Sequence, residues 1–120
     1  AGPAAEFGYF LVGNAPSAGV VLPNNGGQFC LDVTMGNGFG RYNVTGSSLN
    51  SIGQFDGGGT LQNLVGTAQW GSGFDVPSNL PIAGSPAITA GSTWHFQLWY
   101  RDVAVGAGWS NFSNALSMTF

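Results

Sequence analysis

The chain has 120 residues, 43% of them hydrophobic, which is enough to fill the core of one domain of ordinary size. Only two basic and five acidic residues are present, 6% charged in all against roughly 25% in ordinary globular chains. Two cations, Arg41 and Arg101, leave no electrostatic footprint for nucleic acid or anionic lipid, and no run reaches the ~18 apolar residues of a membrane span.

Taken in order, the chain reads as strands separated by turn formers. Nine Phe, four Trp and three Tyr exclude a disordered Gly-rich polymer. Helical spacing free of Gly and Pro is nearly absent, whereas period-two patterns recur. Residues 6–12 form the first predicted strand, with Phe7, Tyr9, Phe10, Leu11 and Val12. Further strands are expected at 19–22, 28–34, 38–44, 51–55 and 60–65. Between them lie Pro23-Asn24-Asn25-Gly26-Gly27, Gly36-Asn37-Gly38 and Asp56-Gly57-Gly58-Gly59, all turn chemistry. Residues 70–86 carry Pro77, Pro81 and Pro86 with little alternation and read as a long surface connection.

The clearest strand covers 93–103. Trp94, Phe96, Leu98 and Tyr100 alternate with His95, Gln97, Trp99 and Arg101, which predicts one core face and one mixed face. In the final strand, 115–120, Leu116, Met118 and Phe120 share a face and are expected in the core. About eight short strands at this spacing predict an all-β fold, an antiparallel β-sandwich of immunoglobulin-like or jelly-roll type, as a single domain over 1–120.

No constellation for catalysis emerges. His95 is the one histidine, no glycine-flanked nucleophile elbow occurs, and Glu6, Asp32, Asp56, Asp75 and Asp102 are not paired by spacing. The single Cys30 rules out an intrachain disulfide and a multi-Cys metal site; between Phe29 and Leu31 it is expected to be buried and unreactive. No cofactor is implied. Asp56 reads as a turn residue, since its neighbours offer no second carboxylate for calcium.

The aromatics carry the functional signal. Trp99, beside His95, Gln97 and Arg101, reads as covered by a second sheet or a loop, as paired with Arg101 by cation-π contact, as part of an interface, or as a platform for a sugar ring. Trp109 and Trp70 lie in Gly-rich loops, where they either face a partner or cap a sandwich end. Asn43-Val44-Thr45 and Asn111-Phe112-Ser113 are acceptor sequons for glycosylation.

Three stretches together carry a resemblance: Glu6-Phe7-Gly8-Tyr9-Phe10-Leu11-Val12-Gly13, the segment from Phe29-Cys30-Leu31 to Gly40-Arg41-Tyr42, and Trp94-His95-Phe96-Gln97-Leu98-Trp99-Tyr100-Arg101-Asp102 followed by Ser110-Asn111-Phe112-Ser113-Asn114. They resemble the C-terminal β module of secreted or surface proteins of planctomycete-like environmental bacteria. The resemblance implies an extracellular or cell-surface location and no particular activity. Similar modules carry about 25 more residues, including one more strand, ahead of the Glu6 stretch, so an open sheet edge is expected here.

Two functions follow as expectations. The first is a structural or adhesive module that associates with copies of itself, as a filament subunit, with the first strand (Phe7, Tyr9, Phe10, Leu11 and Val12) or the last one pairing with a neighbouring chain. The second is a glycan-binding module using Trp99, Trp109, Trp70, His95 and Arg101.

Overall fold

The computed structural model describes residues 1–34, 36–68 and 73–120, and these form nine strands and no helix. The centre is a ladder between β1 (Phe7–Gly13) and β7 (Thr93–Arg101), antiparallel from Gly8↔Tyr100 to Gly13↔His95. Both strands are rich in aromatic and apolar residues, which suit a pleated surface covered on both sides.

Each central strand has a second neighbour made of two short strands laid end to end. Beyond β1 lie β4 (Phe39–Arg41) and β5 (Gly53–Phe55), and β6 (Leu61–Asn63) pairs outside β5. Beyond β7 lie β8 (Ser110–Phe112) and β9 (Leu116–Thr119). The break between them falls at Ser113, which bonds Leu98 twice: its N–H donates to the Leu98 carbonyl and its Oγ accepts the Leu98 N–H, both at 2.9 Å. β2 (Pro16–Val21) and β3 (Gln28–Leu31) form a separate hairpin over one face of this seven-stranded sheet. The all-β antiparallel expectation holds, as a β-sandwich whose second layer is only two strands wide.

Two apolar clusters result, one on each face. The first joins Val12, Tyr42 and Phe96 to Leu80 and Ile82, with Phe10, Phe74, Val76, Ile88 and Trp94 around them. The segment expected to be a surface connection therefore covers this face: Leu80 donates its N–H to the Pro86 carbonyl and Ile88 to that of Ser78, folding 78–88 back on itself over the sheet. The second cluster, Leu11, Phe29 and Leu31 with Tyr9, Phe39, Trp99 and Phe112, lies beneath the hairpin.

Several expectations are corrected. Leu116, Met118 and Phe120 do not enter the core: they are 57%, 38% and 41% exposed, because β9 is an outer strand that pairs with β7 alone among the described strands. Trp94 is half-buried at the rim of the first cluster, and Leu98 and Tyr100 are half-buried too; Phe96 is the member of that row that is fully covered. Cys30 is half-buried instead of buried, since Phe29 and Leu31 take the inward positions of β3 and period two turns Cys30 away.

The first strand is no edge. Both sides of β1 are taken by strands of its own chain, so Phe7, Tyr9, Phe10, Leu11 and Val12 are not free to pair with a neighbour. Nor is the segment before it loose: Gly2 donates its N–H to the Gly59 carbonyl, Ala5 to that of Phe55, and the Gln54 side chain donates to the Ala5 carbonyl.

Candidate functional site

The hairpin leaves a groove of about 730 Å³ between itself and the large sheet. Its floor is built from the faces of β1, β4, β7 and β8. Tyr9 and Trp99 are direct cross-strand partners there, with ring centroids 4.9 Å apart. Phe39 and Phe112 extend the floor to either side, and both touch the ring of Phe29, which with Leu31 forms the inner wall. Val20 on β2 and Leu22 just after it form the roof. Ser17, Asn25, Thr34 and Ser110 supply polar lining, the buried Asn25 among them, and the charged groups Asp32 and Arg41 lie at the rim.

The rim charges are held locally. Arg41 sits with its guanidinium 5.7 Å from the centre of the Phe39 ring, a cation-π contact. Asp32 Oδ1 accepts the Thr34 N–H at 2.8 Å, and that bond, together with one from the Thr34 side chain, holds its carboxyl below the usual range.

A buried amide suspends the hairpin. Gln97, 1% exposed, accepts the Cys30 N–H through Oε1 at 2.9 Å, and its Nε2 donates to the carbonyls of Gln28 and Ser113, each at 2.8 Å. At the other end, the Asn25 side chain donates to Ser110 Oγ at 2.7 Å, and the Ser110 N–H donates to the Asn24 carbonyl. β3 thus rests on β7 and β8, and β2 hangs from β3 as the outer strand.

The residues expected to form one sugar platform are dispersed. Trp99 lies in the groove, but Gln97 next to it on the same face is sealed under β3, which separates Trp99 from His95. His95 Nδ1 instead bonds Ser117 Oγ at 2.6 Å across the β7–β9 pair. Arg101 is exposed at the end of β7, and Trp109 packs over Gly106 in the β7–β8 turn. Trp70 lies outside the described residues.

The sequons differ. Asn43 is exposed, whereas Asn111 is half-buried in β8 with its Nδ2, the atom a glycan would need, donating to Asp102 at 3.1 Å. Asp56 is fully used as a turn residue: its Oδ1 accepts the N–H groups of Gly58 and Thr60, and its Oδ2 accepts Gln62. Among the described residues no three of His, Cys, Asp and Glu gather as a metal site. A second depression, about 740 Å³, lies among loops that contain Ser47, Asn50 and Thr67, and among the described residues no aromatic side chain lines it. The sequence places Tyr9 in a strand expected to pair with a neighbouring chain, and its position beside Trp99 is not legible there because strand order is not written in alternation.

No family model, curated protein or solved structure matches the chain.

Proposed function

We propose that this chain is an extracellular structural or adhesive module that associates with copies of itself, as a filament subunit, by strand pairing at an open sheet edge. One feature supports it above all. β9 has β7 on one side and no described strand on the other, and it presents Leu116, Met118 and, just after it, Phe120 to solvent without a charge from 110 to 120. Edges are ordinarily guarded by Lys, Pro or inward charges, because a free row of N–H and C=O groups recruits other strands. The 6% charge agrees, since little repulsion keeps copies apart. The extracellular placement rests on the sequence resemblance.

Sedimentation of the whole chain at rising concentration tests this. Mass should grow with concentration, and Met118→Lys, an exposed position, should hold the chain as a monomer. A chain that stays monomeric throughout is not an assembly subunit.

The Tyr9–Trp99 floor favours a second reading, a glycan site, because flat rings stack on the apolar faces of sugars while rim groups supply hydrogen bonds. Titration with cellohexaose, followed by tryptophan fluorescence, checks it against Trp99→Ala. A saturable change lost in that variant supports the glycan reading, and an unchanged spectrum removes it for β-1,4-linked glucans.

A further inference from the structure

Resting on the self-association reading, we infer that the groove beneath β2 is the acceptor for β9 of a second copy, which enters as the third strand of the short layer. The acceptor is an unfinished sheet. Two strands cover a seven-stranded sheet, and among the described residues nothing pairs with the outer side of β2. The first half of that edge is guarded: it begins at Pro16, and its register shifts before Val20, with Gly19 at φ +96° in between. Proline and bulges of this kind spoil strand addition. The second half has no such guard. Val20 is in register with the buried Phe29 and faces inward with it, yet is 53% exposed, because no further described strand closes the groove.

The donor matches this site in polarity and pattern. β9 offers an extended apolar row at period two, and the groove offers an apolar floor of Tyr9, Trp99 and Phe39. Backbone pairing would satisfy both free edges, while alternate side chains fill the groove. β9 carries no charge, and the groove keeps Asp32 and Arg41 at its rim, so docking desolvates no ion on the floor. Donor and acceptor are different surfaces, so the contact is heterologous. Each added copy keeps one free donor and one free acceptor, and repetition builds an open filament instead of a closed dimer.

Mixing two full-length variants tests the inference. Met118→Lys removes the donor and keeps the groove, and Val20→Lys spoils the groove and keeps the donor. Each alone should sediment as a monomer. Their equimolar mixture should form a dimer and nothing larger, because one competent donor meets one competent acceptor. Near-ultraviolet circular dichroism and the unfolding midpoint check that both remain folded, with Leu116→Lys and Leu22→Lys as replacements for either that does not. If Val20→Lys alone assembles as the unmodified chain does while Met118→Lys does not, self-association stands and the groove is not the acceptor. A mixture that stays monomeric also overturns the inference. If the unmodified chain is itself monomeric, the self-association reading fails with it.

Discussion

The side-chain oxygen of Gln97 accepts the backbone N–H of Cys30 at 2.9 Å, and this bond fastens the short layer of the sandwich to the long one. The same amide reaches two further carbonyls, those of Gln28 and Ser113, so one side chain joins β7, β3 and the break between β8 and β9. Gln97→Leu keeps the approximate volume and takes the side-chain partner from one part-buried donor, the Cys30 N–H, and from two acceptors, the Gln28 and Ser113 carbonyls. Unsatisfied buried groups of this kind cost roughly 1–3 kcal/mol each, so a loss of about 2–4 kcal/mol is expected once the hairpin relaxes. Urea unfolding measures it. A shift within error would mean that apolar packing alone holds the hairpin.

Phe96 and Trp94 share a face of β7 but not a depth. Phe96→Ala should open a cavity beside Val12, Tyr42 and Leu80 and cost about 3–5 kcal/mol. Trp94→Ala, at the half-buried rim, should cost distinctly less despite the larger ring removed. The two unfolding midpoints, measured side by side, decide the order, and equal losses would contradict this placement.

Tyr42 is buried in the first cluster, and its hydroxyl has no hydrogen-bond partner among the described residues. Burial pushes its ionisation far above the ordinary tyrosine range. The folded state therefore holds the phenolic proton where the unfolded chain releases it, at about pH 10. Stability from this group is complete below that pH and is lost as pH rises above it. Tyr42→Phe removes an unpaired buried hydroxyl, so it should be neutral or stabilising by ~1 kcal/mol at pH 7 and should flatten the alkaline fall. Part of the fall should remain, because Tyr100 is also shifted upward by its burial and then by the Asp102 charge. Denaturant midpoints between pH 8 and 11 read both effects. An alkaline slope identical in the variant would show that Tyr42 ionises in the folded state.

Cys30 lies on the outward side of β3, with Sγ 3.6 Å from the Gln28 carbonyl. A small thiol reagent should label it in the folded protein at a rate that does not follow denaturant below the unfolding transition. Labelling that tracks global unfolding would instead put the thiol inside the core.

The strands at 6–12 and 93–103 were legible because both are long and aromatic, the first as a nearly continuous apolar run and the second by its alternation, and the structure places them within a residue or two. β8 was missed, since Ser110–Phe112 is three residues long and reads as a loop with a sequon. The mixed face of 93–103 was read correctly as mixed, but Gln97 gave no hint that it would be sealed. An amide is polar by composition, and its burial depends on β3 arriving with a free N–H and a carbonyl at the right spacing. The row Leu116, Met118 and Phe120 misled for a related reason. Alternation says that residues share a face, and only strand order says whether anything covers that face. The groove lay beyond reach because its floor comes from β1, β4, β7 and β8, far apart in the chain.

The central ladder sets the order in which the molecule can form. β1 comes early in this sequence, and its long partner β7 begins at Thr93, so Tyr9 must wait for Trp99. Loop closure of that span precedes any gain from pairing, and folds dominated by such distant contacts are slow. During synthesis, Phe7–Gly13 emerges ahead of the other described strands and stays unpaired on its β7 side until Thr93–Arg101 has been made. The most apolar strand is thus the longest exposed, and a nascent chain has the greatest chance of pairing wrongly just where the finished protein has no free edge.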